Sequence, residues 1–186
     1  AWELAWSPDG AKLAITACLT EGAPPDIYLY DLATDTLGPG LGVAMCAWNL
    51  DWSPATSGPY VNKILYNSCS TGPRSSLLMV DANTGVITNL TGATGLWCAG
   101  LGRWKPDGAK IAFSGTLGAP DWTIGIWAID PDGSNIEPLS EEGWAPLWSP
   151  DGGNLLFQRG GNLALVNSDG TDQRTVPLPG NSGDIG

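Results

Sequence analysis

Apolar and polar residues alternate with a period of two along most of this chain. Residues 2–6 show this pattern and are followed by Pro8-Asp9-Gly10, and residues 12–16 and 26–31 form further short runs rich in β-branched and aromatic side chains. Alternation predicts strands. The Pro-Asp-Gly triplet predicts a turn, because Pro fixes φ and Gly accepts a positive φ. No helical period extends beyond one turn, so the pattern predicts an all-β chain.

The pattern recurs four times. Trp-Ser-Pro-Asp-Gly occupies residues 6–10 and 148–152, Trp-Lys-Pro-Asp-Gly occupies 104–108, and Trp-Ser-Pro remains at 52–54. These repeats are about 44 to 52 residues apart, a period typical of propellers and solenoids. The repeated positions are Trp6, Pro8, Asp9, Gly10, Trp52, Pro54, Trp104, Pro106, Asp107, Gly108, Trp148, Pro150, Asp151 and Gly152.

Each repeat contains four predicted strands, which indicates the blades of a β-propeller. Stacking of blades removes the solvent side, and residues 110–113 and 163–166 are accordingly apolar on both faces. We expect one propeller region with blades at about 1–41, 42–93, 94–140 and 141–186. The predicted strands are 2–6, 12–16, 26–31 and 36–37; 46–52, 62–68, 75–81 and 85–90; 97–104, 109–115, 122–130 and 134–139; and 144–148, 153–159, 162–167 and 173–178.

Three elements in order resemble the repeat of TolB-type β-propellers. They are Trp-Ser-Pro-Asp-Gly with a strand such as 110–114, the run Asp-Ile-Tyr-Leu-Tyr-Asp at 26–31, and Asp-Pro-Asp-Gly-Ser-Asn at 130–135. The resemblance implies a fold used by periplasmic binding proteins, by propellers of prolyl-peptidase-like hydrolases and by many extracellular proteins. The sequence departs from the family in two ways: residues 55–60 replace the Asp-Gly turn of the second repeat, and the repeats number four, whereas the family implies rings of six or more.

Four blades allow two arrangements. Either they close on themselves, or they are a segment of a longer array, or of a ring completed by partner blades. We expect the second arrangement. An open stack of four blades leaves two apolar terminal faces uncovered, and such faces need to be covered by further blades.

Charge and composition exclude several functions. The net charge is −11, from 19 acidic and 8 basic residues, and such a chain repels nucleic acid and anionic lipid. No apolar run approaches the roughly 20 residues of a membrane span. The absence of histidine excludes a Ser-His-Asp triad, a Cys-His pair and His-ligated zinc or haem. We therefore predict no catalytic residue and no cofactor.

The four cysteines occupy two pairs of equivalent positions. Cys18 and Cys69 end the second strand of their repeats, and Cys46 and Cys98 each precede a motif tryptophan by six residues. Of the three possible connectivities, Cys18–Cys46 with Cys69–Cys98 has the symmetry of the repeat. Disulfides imply an oxidising compartment, so we expect an extracellular or periplasmic protein. The alternatives are buried free thiols, or a Cys₄ zinc site, which the absence of a Cys-x-x-Cys spacing disfavours.

The tryptophans suggest packing and binding roles. The pairs at 2/6, 48/52 and 144/148 are four residues apart, so the period of two places both members of each pair on one face of a first strand. Their repetition favours packing between blades over an aromatic binding face. Trp97, Trp122 and Trp127 interrupt the repeat and are the candidates for contact with a partner.

The remaining candidate sites are acidic turns that could bind calcium and one glycosylation sequon. Asp130 and Asp132, followed by a serine at 134 and a glutamate at 137, loosely resemble a calcium loop, as do residues 167–171. The twelve-residue ligand pattern is missing, and Asp-Gly between strands favours a hairpin turn. The same reasoning makes the aspartates of the repeated motif turn formers. Asn89 begins an N-glycosylation sequon.

These observations predict a non-catalytic, secreted or periplasmic β-propeller that acts as a protein-binding or structural scaffold. Its expected partner is a protein, or another copy through the blade faces. Two alternatives remain open: the propeller segment of a larger prolyl-peptidase-like hydrolase, and a subunit of an extracellular filament or surface layer.

Overall fold

A computed structural model describes residues 3–19, 22, 24–43, 47–68, 74–120 and 122–177. These residues form four sheets of four antiparallel strands, and in each sheet the strands are neighbours in chain order. The all-β prediction of four-stranded blades is therefore confirmed. No helix within the described ranges has the length and apolar character needed to cross a bilayer.

Each blade is a meander of four short strands. Blade 1 contains β1 (Leu4–Trp6), β2 (Lys12–Ala17), β3 (Asp26–Asp31) and β4 (Thr36–Leu37). Blade 2 contains β5 (Ala47–Trp52), β6 (Lys63–Ser68), β7 (Leu77–Asp81) and β8 (Ile87–Asn89). Blade 3 contains β9 (Cys98–Trp104), β10 (Ile111–Thr116), β11 (Gly125–Ile129) and β12 (Glu137–Ser140). Blade 4 contains β13 (Trp144–Trp148), β14 (Asn154–Arg159), β15 (Asn162–Asn167) and β16 (Arg174–Val176).

The repeated motif forms the turn between the first and second strands. Ser7 Oγ donates to the Asp9 carboxylate (2.6 Å), which also accepts from the main-chain N–H two residues later (3.0 Å). Gly10 closes the turn by donating to Ser7 O (2.9 Å), with a φ of 69°. Residues 149–153 repeat these contacts. The hydrogen bond from Ser7 lowers the pKa of Asp9, so this carboxylate is held in its ionised form by the turn itself.

Three clusters of buried side chains hold consecutive blades together. Each contains the motif tryptophan of the later blade: Trp52, Trp104 and Trp148 are 7%, 6% and 7% exposed. We call the side of a blade that carries this tryptophan its motif face, and the other side its opposite face. Each junction packs a motif face on the opposite face of the preceding blade. Strand β10 lies between two blades and is buried along its whole length.

The first strands of blades 2, 3 and 4 share an irregularity that the sequence did not predict. Their pairing with the second strand shifts register just before the motif tryptophan. Asn49, Leu101 and Ala145, each three residues before that tryptophan, have φ near +55°, at 55°, 57° and 55°. A β-bulge with a residue in this left-handed region adds one residue and reverses the alternation beyond it. At two of the bulges the preceding blade supplies a hydrogen bond, from Leu101 N to Asn67 Oδ1 (3.0 Å) and from Ala145 N to Ser114 Oγ (3.0 Å).

A lysine–aspartate pair joins the second and third strands in three blades. The Nζ–Oδ distances are 2.7, 2.5 and 2.9 Å in Lys12–Asp31, Lys63–Asp81 and Lys110–Asp130. In blade 4 the corresponding cross-strand pair is Asn154 and Asn167. All four blades therefore have a polar cross-strand pair at this position, and in three of them the pair is charged.

Several predicted strands are longer than the observed ones. The fourth strand of blade 3 starts at Glu137 rather than at 134, because Asp130 N donates to Ser134 O and closes a turn there. Likewise Asp81 N donates to Val86 O (3.0 Å), which keeps residues 85–86 in the turn before β8. Hydrogen bonds of the turns thus shorten the outer strands at the ends where the alternating pattern alone would extend them.

Candidate functional site

An aromatic cleft of about 610 Å³ opens where the first strands begin and the second strands end. Blades 2, 3 and 4 all contribute to its walls. The lining residues are Trp48, Asn49, Asn67, Ser68, Arg74, Ser75, Cys98, Ala99, Gly100, Leu101, Ser114, Gly115, Thr116, Trp122, Ile124 and Trp144. A second depression of about 930 Å³ lies beside Pro120 and includes Glu141, Glu142 and Arg159. We take the first as the candidate site because three exposed tryptophans meet there.

Trp48 and Trp144 reach the cleft because of the bulges. Trp48 pairs with Asn67 and Trp52 with Ile64, three residues apart on β6, so the two tryptophans face opposite sides of the blade. Trp144 and Trp148 separate in the same way, opposite residues 158 and 155. The prediction that both members of a pair share one face is therefore wrong for these two pairs; Trp2 of the remaining pair lies outside the described residues. Trp48 is 38% and Trp144 46% exposed.

Trp122 lines the cleft, and Trp97 packs against it. Their ring centroids are 5.6 Å apart in an edge-to-face arrangement at 87°. The guanidinium carbon of Arg74 lies 4.4 Å from the centre of the Trp97 ring, in cation–π geometry. Trp122 is 55% exposed, and its outer surface is open to a ligand. Contact of Trp97 and Trp122 with a partner stays a prediction.

Trp127, the third predicted contact residue, lies elsewhere. It packs beside the cluster between blades 2 and 3, and its Nε1 donates to Gly115 O at 3.1 Å. Its ring therefore has a structural role within blade 3, and a role in partner contact stays a prediction.

The described lining of the cleft contains one charged side chain. Arg74 carries a charge, whereas the other described lining side chains are aromatic, aliphatic, thiol, amide or hydroxyl groups. Two of the polar groups, Asn67 Oδ1 and Ser114 Oγ, are already occupied by main-chain N–H groups of the next blade. The lining is thus suited to hold an uncharged, largely apolar segment.

The cysteine pairing falls partly outside the described residues. Cys46 and Cys69 are not described, so Cys18–Cys46 and Cys69–Cys98 stay predictions. Cys18 directly follows β2, and Cys98 begins β9, where it pairs with Thr116 and lines the cleft. Both described cysteines lie at the strand ends where the sequence placed them.

The candidate calcium ligands participate in turn contacts. Asp130 accepts from Asn135 Nδ2 (2.7 Å) and pairs with Lys110, while Asp132 accepts from Ser134 N (2.8 Å) and Oγ (2.6 Å). The pKa values of both carboxyls are lowered, chiefly by the hydrogen bonds from Asn135 and Ser134. Among the described residues no group of three or more potential metal ligands is found.

Residues 167–171 form a similar turn, in which Asp169 accepts from Thr171 N (3.0 Å) and Oγ1 (2.6 Å). The sequon residue Asn89 is exposed at the end of β8. Thr91 of the same sequon is buried, and its Oγ1 accepts from Leu77 N (3.1 Å). A glycan on Asn89 stays a prediction.

Asp51 is an acid with a largely buried carboxyl group, and the sequence reasoning missed it. It precedes Trp52 on β5, and its Oδ2 accepts from Trp104 N of blade 3 at 2.6 Å. Burial raises the pKa of Asp51 to about 6, although the Trp104 N–H and the positive charge of Arg103 act in the opposite direction. The signal in the sequence was its position: a residue next to the motif tryptophan faces the following blade, so an acid there is enclosed.

Similarity to known proteins identifies the fold. A putative TolB from Agrobacterium tumefaciens superimposes with a TM-score of 0.73 and 24% sequence identity, over 91% of this chain and 62% of that chain. TolB from Acinetobacter baumannii gives a TM-score of 0.70 and 19% identity, over 94% of this chain and 43% of that chain. The chain has a TolB-like β-propeller fold, and it spans about half the length of these TolB structures.

A puromycin hydrolase is a third structural neighbour, with a TM-score of 0.68 and 17% identity over 92% of this chain and 28% of that chain. The fold is therefore shared with enzymes as well as with TolB. Neither a protein-family model nor a curated protein sequence matches this chain.

Proposed function

We propose that this chain is a non-catalytic binding module that holds an apolar segment of a partner protein in the aromatic cleft. The observation that carries the proposal is the convergence of three exposed tryptophans, Trp48, Trp122 and Trp144, on one cavity. Exposed aromatic rings in a concave site provide large contact areas at a low cost in side-chain entropy. The cleft also has a volume typical of ligand sites.

The lining supports binding rather than chemistry. No carboxylate is found among its described residues, and the sequence contains no histidine to act as a general base. We place the protein in an extracellular or periplasmic compartment, as its resemblance to TolB and its symmetric cysteine positions suggest. In that setting we propose that the four blades act as one propeller region.

A selection from a random-peptide display library tests the proposed binding. We expect enrichment of extended peptides rich in apolar residues, with binding weakened at least tenfold by Trp122→Ala and by Trp144→Ala. Val86→Ala is the control, because Val86 is also exposed, at 62%, but lies outside the cleft lining. Peptides that bind all three variants equally would refute the assignment of the cleft, and turnover of ester or peptide substrates by the purified chain would refute a non-catalytic role.

The structural similarity to puromycin hydrolase supports a second candidate. In this alternative the chain is the propeller segment of a larger prolyl-peptidase-like hydrolase, and the cleft lies on the route of a peptide substrate. The genomic reading frame around the sequence distinguishes the two: a hydrolase domain encoded in the same frame favours the alternative, and its absence favours the binding module.

A further inference from the structure

The motif face of blade 1 differs from the other three motif faces in its exposure. Trp6 is 58% exposed, whereas the tryptophans at the same position in blades 2, 3 and 4 are each at most 7% exposed. The register places Trp6 in a row with Leu13, Tyr30 and Leu37, and places Leu4, 56% exposed, beside Ile15 and Tyr28. Within the described residues no buried cluster covers this face. A contiguous apolar surface of this kind marks an interaction site.

The opposite face of blade 4 is exposed in a matching way. Leu147, which is 56% exposed, pairs with Leu156, and Leu156 pairs with Leu165. The corresponding row of blade 3 contains Ala112 and Ala128, which are buried in the same cluster as Trp148. The leucine row of blade 4 therefore has the same position as Ala112 and Ala128 in blade 3, where these two residues pack against the motif tryptophan of the next blade.

We propose that the opposite face of blade 4 in a second copy of this chain packs on the motif face of blade 1. The reason is that the chain contains three junctions between these same two kinds of face. At the junction of blades 3 and 4, Trp148 Nε1 donates to the carbonyl oxygen of Arg103 (3.1 Å). We expect the same bond from Trp6 Nε1 to the carbonyl oxygen of Leu147 in the second copy, because Leu147 holds the position of Arg103 in blade 4. The Nε1 groups of Trp52 and Trp104 have no acceptor among the described residues, so this bond is taken from the junction of blades 3 and 4.

The turns provide independent support. A Cβ on Gly152 would lie 3.0 Å from the Lys105 side chain of the preceding blade, and one on Gly108 would lie 4.0 Å from Ala55. A Cβ on the equivalent Gly10 would meet no atom within 4 Å. The turn of blade 1 therefore leaves open the space that a preceding blade fills at the other two turns.

A polar contact across the junction is also available. Asn67 and Ser114 stand at the same place in the second strands of blades 2 and 3, and each accepts a main-chain N–H from the following blade. Gln158 occupies this place in blade 4 and is exposed. We expect its amide oxygen to accept a main-chain N–H from the first strand of the docked blade 1. Two chains joined through both pairs of faces close a ring, and a rotation that does not close produces a longer array.

Light scattering coupled to size-exclusion chromatography tests the proposal on the 186-residue chain. We expect the wild type at high micromolar concentration to have at least twice the chain mass of 19.3 kDa. Trp6→Glu and Leu147→Glu each place a charge in the junction, and both residues are exposed enough to leave the fold intact. Each variant alone is expected to be monomeric. Val86→Glu is the matched control, since Val86 is 62% exposed in the turn between β7 and β8, and it should associate like the wild type.

Mixing the two variants gives the decisive result. Trp6→Glu keeps an intact blade 4 face, and Leu147→Glu keeps an intact blade 1 face, so the mixture forms one good junction. We expect a species of two chains that contains one of each variant. A folded wild-type chain that is monomeric at these concentrations would overturn the proposal. So would association that survives both substitutions, or a mixture that stays monomeric although each variant melts cooperatively.

Discussion

The buried carboxyl of Asp51 gives a prediction whose sign and pH range follow from the structure. Substitution to asparagine keeps an oxygen that can accept the N–H of Trp104 and removes the charge that burial disfavours. The pKa of Asp51 is raised to about 6 from its ordinary 3.8. Between these values the folded chain binds more protons than the unfolded chain, so the free energy of unfolding falls as pH rises through the interval.

The magnitude follows from the same two values. At about 1.36 kcal/mol per pKa unit, the difference between 3.8 and about 6 corresponds to about 3 kcal/mol. We expect Asp51→Asn to be more stable than the wild type by about 1 to 3 kcal/mol at pH 7.5, because the substitution removes the charge whose burial raises this pKa. At pH 3.5, below both pKa values, the wild-type carboxyl is mostly protonated in both states, so the two proteins should be about equally stable.

Urea unfolding followed by tryptophan fluorescence, at constant ionic strength and at several pH values, measures these differences. Asp81→Asn is the matched control with the opposite pH dependence. Burial alone would raise the pKa of Asp81, but Lys63 and the N–H groups of Thr84 and Asn83 lower it to about 2. Its stabilising contribution, about 1 kcal/mol, is present above pH 3.8 and is lost as the pH falls towards 2.

The pH dependence also provides the refutation. If Asp51→Asn is less stable than the wild type at pH 7.5 and equally stable at pH 3.5, the ionised carboxylate stabilises the fold. The N–H of Trp104 and the charge of Arg103 would then outweigh the loss of hydration.

Three further predictions address the repeat. Gly152→Ala should destabilise more than Gly10→Ala by about 1 kcal/mol in urea unfolding, because both have a φ of 69° but only Gly152 is near the preceding blade; equal losses would contradict blade-to-blade packing at the turn. Trp148→Phe should lower the free energy of unfolding by about 1 kcal/mol more than Trp104→Phe, because the Nε1 of Trp148 has an acceptor and that of Trp104 has none among the described residues. Equal losses would show that the hydrogen bond of Trp148 does not stabilise the fold. Reducing the two predicted disulfides should lower stability by about 3 kcal/mol each, and peptide mapping without reduction should recover both pairs, whereas four alkylatable thiols would contradict them.

Local sequence determined the blades themselves. Pro-Asp-Gly makes a turn from the chemistry of three adjacent residues, and the alternation beside it makes strands that pack tightly only when stacked. The positions of Trp52, Trp104 and Trp148 could therefore be assigned to packing between blades, and all three are buried there. The division into four-stranded sheets and the TolB-like fold could be predicted for the same reason.

The cleft could not be predicted in this way, because it depends on residues far apart in the sequence. Alternation alone predicts that Trp48 and Trp52 lie on the same face of the strand. In the structure a bulge at Asn49 puts Trp48 on the other face, where it lines the cleft. In the sequence Asp51 is an ordinary strand residue. In the structure blade 3 covers it, and Trp104 donates its main-chain N–H to the Asp51 carboxylate. The sequence by itself determined the repeat, its turns and its packing tryptophans, since these rest on local periodicity. The tertiary structure decided which side chains line the cleft and which acid is buried, since both depend on the contacts of one blade with the next.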